Sequence, residues 1–500
     1  MTRIGRRVHV VAAVCCITAS ISVPGSLWAQ RTGSTAGPSA SGAPAALERV
    51  AAVRSSRLQE DMAAMAVFRP GYTFWQHVFR VPDGSVAYGS ATDGRLLAVF
   101  PTTADWTATG RWEEPALATL LNGARLSRQL DARRDEVALV FEEAMGPVLH
   151  NPTRGRFLMR NVPRYSVFLE EWGKIYERFG VPAEVGLAQA IVESGLNGTI
   201  RSEARAVGFC QWLHGNWQKL ERLAPHVIEA NNQTTQAPYC AAYLTILATK
   251  YGSFLPALSE HHAGGTNVGR TLILGERLGG DGVRSQYFTG AEFAIALRRT
   301  SPQRYSDVYR TYGPRSYRYA ELVFGNMANV VELRMSAPQR RIHAMRTTRA
   351  VPLDEIVRRT GLTADEVKRY NPALVRQVPR GATVYLPSHE SAFGADVAFW
   401  HRPATPAFAS VLADFLAIEA APDQWDSPSF EGVLRDYQRR FRQTDSEEGT
   451  VMYVMLSYVL EEIRTSRRGA ILDEYRASPR VARLIEEGIR ETGLPQATGR

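Results

Sequence analysis

A glutamate at the end of an apolar segment is the first residue in this 500-residue chain whose position suggests chemistry. Glu193 lies near the end of the stretch AEVGLAQAIVES, which follows Pro182 and precedes Gly195. Proline suits the first turn of a helix, and a helix that is apolar on nearly every side is a buried one. A helix C-terminus carries partial negative charge, and apolar surroundings disfavour ionisation. We therefore expect a raised pKa for Glu193, as a general acid requires.

The sequence around Glu193 decides between this role and that of a glutamate which merely reaches water at a frayed helix end. Residues 193–197 (ESGLN), Ser202, 206–211 (AVGFCQ), 260–264 (EHHAG) and 319–321 (YAE) follow one another in this order. They resemble the signature of the soluble lytic transglycosylase (SLT) domain family. In that family a Glu-Ser pair ends a buried helix, a Gly-rich turn ending in Gln follows, and Ala-Tyr-Asn-Ala-Gly and Tyr-Ala-Glu blocks come later.

The resemblance covers about residues 160–330 and implies a lysozyme-like fold, shared with goose-type lysozymes. It also implies peptidoglycan glycan strands as the substrate, with neither a cofactor nor a metal. Glu193 would protonate the oxygen between MurNAc and GlcNAc and then take the proton of the sugar's own 6-hydroxyl. The product would carry a 1,6-anhydro end.

Other residues are carried over from the family as substrate contacts. His261 and His262 replace the Tyr-Asn of the third block, so His262 would supply the hydrogen bond to the acetamido group that the family's Asn makes. Adjacent histidines point to opposite sides of a helix, and the chain has no H-x-x-x-H spacing, so we predict no metal site. The expected substrate-binding residues are Ser194, Gln211, His261, His262 and Tyr319.

Two other functions remain open from the sequence. Ordinary glycosidases need two carboxylates, and Glu203 or Glu260 as the second would favour a lysozyme-like hydrolase of peptidoglycan or a chitin-like polymer. Arg205, Cys210 and the two histidines depart from the family pattern, and the altered third block also fits a catalytically weak scaffold that binds cell-wall glycan.

A second module resembles a LysM domain, a carbohydrate-binding unit. Residues 343–387 are expected to form a strand, two short helices and a closing strand, with 370–372 (YNP) and 378–387 (VPRGATVYLP) as matching pieces. The usual Gly-Asp-Thr-Leu opening is replaced by 350–353 (AVPL). The fold is therefore a firmer expectation than GlcNAc binding.

The N-terminus has the layout of a secretory signal peptide. Three arginines precede the apolar residues 8–23, and small residues follow up to position 29. Export to the periplasm or cell envelope is expected, and an uncleaved segment would anchor the chain in the membrane. Removing residues 1–29 takes away those three arginines and no acids, so the formal charge falls from +9 to +6. Only four of the 59 basic residues are lysines. The many arginines do not form a run with interleaved aromatic residues, so we predict no nucleic-acid partner.

The composition, 45% hydrophobic and 22% charged, is that of an ordinary globular protein. We predict a mainly α, multidomain chain with a small β-meander at 72–100. Two cysteines survive processing, Cys210 and Cys240, and an oxidising compartment favours a disulfide between them over two buried thiols. The predicted divisions are a signal peptide (1–29), a linker (30–44), a helix and β-meander subdomain (45–160), the SLT-like domain (161–335), the LysM-like domain (343–387) and a C-terminal helical region (391–500).

Overall fold

The computed structural model of this chain is mainly helical, which confirms the predicted fold class. Within its described part, every helix is too short or too polar to cross a bilayer. The predicted signal peptide and residues 30–41 of the linker lie outside the described residues. The described residues are 42–103, 109–224, 231–309, 314–387, 404–419 and 422–493.

The N-terminal region begins with a long helix, α1 (Gly42–Phe68), as its spacing predicts. The expected meander at 72–100 is wrong in its first part. Pro70–Phe74 is a 3₁₀ helix and Trp75–Arg80 is α2, because the apolar residues Phe74, Trp75, Val78 and Phe79 recur with helical rather than alternating spacing and are all buried. The first strands begin only at Ser85.

A four-stranded antiparallel sheet follows, in the order β3-β2-β1-β4. Its central pair matches Val86 with Phe100 across the predicted turn, and its last strand returns after a helix to lie beside β1. The sheet packs its apolar face on that helix. The elements are β1 (Ser85–Ser90), β2 (Leu96–Pro101), β3 (Arg111–Trp112), the 3₁₀ helix Pro115–Leu121, α3 (Leu130–Met145) and β4 (Val148–Pro152).

The segment predicted to be SLT-like is a set of helices around one buried helix, α7, with a two-stranded hairpin, β5–β6, beside it. Ten of the twelve residues of α7 are buried, so this helix forms the centre of the region. The elements are α4 (Gly155–Met159), α5 (Val162–Tyr165), α6 (Leu169–Arg178), α7 (Ala183–Ser194), β5 (Ala206–Val207), β6 (Trp212–Leu213), α8 (His214–Leu223), α9 (Gln233–Tyr251), α10 (Phe254–Ala263), α11 (Gly265–Arg277), α12 (Val283–Thr300), α13 (Pro302–Tyr309) and α14 (Tyr319–Ser336).

Residues 343–387 form the expected order of a strand, two helices and a closing strand. The outer strands pair antiparallel, with Val384 opposite Met345, and Asn371 ties the second helix to the closing strand through both its amide atoms. Thr363 and Glu366 cap that helix reciprocally. The elements are β7 (His343–Arg346), β8 (Val351–Pro352), α15 (Leu353–Thr360), α16 (Ala364–Tyr370), β9 (Gln377–Val378) and β10 (Thr383–Leu386).

The C-terminal region is helical wherever it is described, as predicted. One apolar core runs from α1 through the central helices to the C-terminal ones, and the described residues belong to one compact unit. Several of the predicted domains therefore contribute to one core. The boundaries between these domains stay a prediction. The elements are α17 (Pro406–Leu416), α18 (Pro428–Arg442), α19 (Glu447–Thr465), α20 (Arg468–Ala477) and α21 (Pro479–Thr492).

Candidate active site

The end of α7 is fixed by a left-handed turn. Gly195 has φ 57°, and a β-carbon there would collide with the carbonyl oxygen of Phe157. The side-chain amide of Asn161 donates to the carbonyl oxygens of both residues, at 2.9 Å to Gly195 and 3.1 Å to Phe157. The last turn of α7, which carries Glu193, is therefore held in place by α4 and α5.

Glu193 contacts two other residues that the sequence singled out. The hydroxyl of Tyr319, at the start of α14, donates to Glu193 Oε1 at 2.5 Å. His262 Nδ1 lies 3.8 Å from the same oxygen, and the imidazole stacks on the Tyr319 ring with 4.4 Å between centroids. The side chain of Glu193 is 14% exposed and that of His262 is 38% exposed, so the group opens to solvent on the histidine side.

The expectation of a raised pKa for Glu193 is wrong. Burial does push the pKa up, and it is the largest single influence. The neighbouring imidazoles of His262 and His261 and the hydrogen bond from Tyr319 outweigh it, so the pKa lies below its usual value. Burial and the neighbouring carboxylate raise the pKa of Tyr319 well above its usual value, which keeps its hydroxyl a donor.

His261 points away from this group into the protein. Its ring packs edge-on against Tyr243, with 5.8 Å between centroids, and burial lowers its pKa to about 4. Both ring nitrogens are buried without a hydrogen-bond partner among the described residues. Of the two adjacent histidines, only His262 is placed to meet a ligand beside Glu193.

Ser194 and Gln211 were expected to bind substrate; the structure buries Ser194, and substrate binding by Gln211 stays a prediction. Ser194 is fully buried, so its hydroxyl cannot reach a substrate; it donates to the carbonyl oxygens of Ala190 at 2.8 Å and Phe209 at 3.3 Å. Gln211 is half-buried in a left-handed conformation, φ 49°, and its side-chain amide donates 3.0 Å to the carbonyl oxygen of Gly208. Ser194 thus connects α7 to the β5–β6 turn, whereas Gln211 closes that turn on itself.

Cys210 and Cys240 form a disulfide, with 6.0 Å between their Cα atoms. It joins the β5–β6 turn to α9, and both side chains are buried in the main core. The turn that carries Gln211 is therefore covalently fixed to a central helix.

The two candidates for a second carboxylate differ in their access to a substrate, and only Glu260 is out of reach. Glu203 is exposed in the turn after α7. Glu260 is 3% exposed and accepts from Lys250 Nζ and an Arg468 guanidinium nitrogen at 2.9 Å each, and from the hydroxyl of Tyr251. Burial disfavours its charge, but the two cations lower its pKa to about 2.

The sequence reasoning missed the residues that hold α10, which carries both histidines. Asp61 of α1 accepts at 2.6 Å from the backbone N–H of Phe254, the first residue of α10, and at 2.7 Å from the hydroxyl of its N-cap, Ser253. Arg284 also donates to Asp61, at 2.6 Å. The one signal in the sequence was Asp61 itself, an acid on the buried side of α1, which suggests a polar partner. Nothing near Asp61 in the sequence shows that this partner is the start of α10.

Among the described residues, no group of three or more His, Cys, Asp and Glu side chains is arranged to hold a metal ion. No protein-family model matches this chain, and no curated protein matches its sequence at a significant level.

Proposed function

We propose that this chain is an exported peptidoglycan lytic transglycosylase that cleaves the β-1,4 bond between MurNAc and GlcNAc with Glu193 as its only catalytic carboxylate. The observation that carries the proposal is the solvent-reachable Glu193, held by Tyr319 and His262, together with the burial of Glu260 under two cations. Glu260 therefore does not serve as the second carboxylate that a hydrolase needs.

The proposed reaction uses Glu193 first as acid and then as base. Its proton passes to the glycosidic oxygen as the bond to the MurNAc carbon breaks, and the N-acetyl group of the sugar supports the cationic centre. Glu193 then accepts the proton of the 6-hydroxyl as that oxygen closes the 1,6-anhydro ring. Atoms and charges balance without water, and Glu193 ends protonated for the next cycle.

The lowered pKa of free Glu193 requires a change when the glycan binds. Burial is already the largest influence on this pKa, and it acts upward. A glycan that covers the half-exposed His262 removes the remaining water and strengthens that influence. Tyr319 keeps the carboxyl group oriented through its hydroxyl in either state.

The lowered pKa also favours a second candidate, a glycan-binding scaffold with weak activity. Residues 343–387 would then be the LysM-like glycan-binding part of either protein. The two candidates differ in whether bonds are broken.

Mass spectrometry of the material released from purified sacculi separates the candidates. A transglycosylase releases fragments with 1,6-anhydro ends, a hydrolase releases reducing ends, and a scaffold releases nothing above the level of a Glu193→Gln control. Reducing ends that depend on Glu193 would contradict the proposed reaction, and equal release by the variant would contradict the assignment of Glu193.

A further inference from the structure

A cavity of about 460 Å³ lies between the N-terminal sheet and the helices around Glu193. Its volume is typical of ligand sites, which span about 300 to 1,000 Å³. Trp75, Phe79 and Leu322 supply apolar wall, and no described aspartate or glutamate lines it. Its charged lining residues are all arginines, so the cavity suits a partly apolar ligand that carries a negative charge.

Two of these arginines are held in position by neighbours. Arg318 donates to both oxygens of the buried Glu321, at 3.2 and 3.3 Å, and Glu321 also accepts 2.9 Å from the indole N–H of Trp75. The guanidinium of Arg154 lies over the ring of Phe157, 4.7 Å from its centroid. Fixed guanidinium groups bind carboxylates with little loss of side-chain freedom.

Among the described residues, the third arginine, Arg134, pairs with two exposed acids, Asp131 and Asp135. It pairs with Asp131 at 3.2 Å, and the Asp131 side chain is 74% exposed, so the pair contributes little. A ligand carboxylate that enters the cavity can take its place. His150 also lines the cavity, and its Nδ1 is buried without a hydrogen-bond partner among the described residues.

One wall of the cavity is a strand edge. All five residues of β4 line the cavity. Successive side chains of a strand point to opposite faces of the sheet. The cavity therefore follows the edge of the strand and does not lie over one face. Within the described chain β4 pairs only with β1. The bonds from Thr153 N to Ser85 O and from Ala91 N to Pro147 O set the antiparallel pattern, which directs the N–H and C=O of His150 away from β1.

The cavity adjoins the residues that hold Glu193. Arg318 directly precedes Tyr319, the hydroxyl donor to Glu193. Phe157, under Arg154, is the residue whose carbonyl oxygen packs against Gly195 at the end of α7. The cavity lining and the residues that hold Glu193 are thus adjacent along the chain.

We propose that this cavity binds an extended peptide bearing carboxylates, which hydrogen-bonds to the outward N–H and C=O of His150 on β4 while Arg134, Arg154 and Arg318 bind its charge. The source that its position favours is the peptide attached to the glycan strand, and that part rests on the function proposed above. Strand addition supplies backbone hydrogen bonds, and the arginines supply the preference for acidic peptides.

Calorimetry with the full chain tests the cavity independently of any activity. The probes are N-acetyl-Ala-Glu-Ala, with two carboxylates, and N-acetyl-Ala-Gln-Ala amide, with none. The acidic peptide should bind at least about tenfold more tightly, since its charge-assisted bonds are lost in the amide. Arg134→Gln should weaken its binding by a similar factor, while Arg467→Gln, at an 80% exposed arginine outside the cavity, should not. Equal binding of both peptides, or no effect of Arg134→Gln, overturns the proposal.

Turnover tests the source of the peptide. Peptide-bearing glycan strands should be cut with a kcat/KM higher than strands whose peptides an amidase has removed, and Arg134→Gln should reduce this preference. Equal kcat/KM on the two substrates overturns the glycan-attached source. If neither substrate is cut, the proposed function fails, whereas the calorimetric result still decides whether the cavity binds acidic peptides.

Discussion

Two glutamates in this protein differ in exposure and in neighbours. Glu193 is 14% exposed and contacts a tyrosine hydroxyl and a half-exposed histidine, whereas Glu260 is 3% exposed and lies between Lys250 and Arg468. Both have a lowered pKa, one through polar neighbours and one through full cations. A carboxylate with a shifted pKa is therefore a candidate acid only when a ligand can reach it and alter its surroundings.

The strongest test of this comparison is to make the same substitution at both sites. Glu193→Gln should reduce sacculus solubilisation by a factor of about 10² or more, because the proton donor is lost. Its free energy of unfolding should change little, since the amide oxygen still accepts from Tyr319. Release rates and urea unfolding measure the two effects, and solubilisation near the wild-type rate would show that Glu193 is not the acid.

Glu260→Gln should act in the opposite way. It leaves Lys250 and Arg468 without their buried anion, and breaking a buried pair typically costs about 3 to 5 kcal/mol of unfolding free energy. The folded-state pKa of about 2 lies below the ordinary 4.5, so the stability from this ionisation is present above pH 4.5 and is lost as the pH falls toward 2. Unfolding at several pH values should therefore show the difference between wild type and variant shrinking in that range. A variant as stable as wild type at pH 7 would contradict the structural role.

The region around Glu193 also has a covalent support, the Cys210–Cys240 disulfide. Replacing Cys210 and Cys240 together by alanine should cost about 3 to 4 kcal/mol, by the chain-entropy estimate for a loop of this length. The cysteines are 30 residues apart in sequence. Thiol labelling of the denatured, unreduced chain checks the bond itself, and free thiols at both positions would refute it.

The smallest effect is expected at His262, where His262→Ala should lower turnover about tenfold, because one hydrogen bond to the substrate's acetamido group is lost. Its free energy of unfolding should change by under about 0.5 kcal/mol, as is usual for exposed side chains. His261→Ala is the matched control, because that ring is packed against Tyr243 and should affect unfolding more than turnover. The reverse pattern would exchange the roles of the two histidines.

Much of the local structure could be predicted because the signals are local. The apolar run of α7, its closing glycine and the capping residues of 343–387 act over a few residues. The error at 72–80 arose because these residues were assigned to the same β-meander as residues 85–100, although their aromatic residues recur with helical spacing. Ser194 was predicted to bind substrate because the family residue does so. In the structure its buried hydroxyl donates to the carbonyl oxygen of Phe209, which is 15 residues away in sequence, so no local signal could reveal this contact.

The sequence alone determined the helical class, the glutamate at the end of a buried helix and the order of the modules, since each depends on spacing along the chain. Tertiary structure decided what the carboxylates do. Tyr319 reaches Glu193 across 126 residues, and Arg468 reaches Glu260 across 208. Charge interactions depend on distance in space and on the exclusion of water, and packing alone sets both.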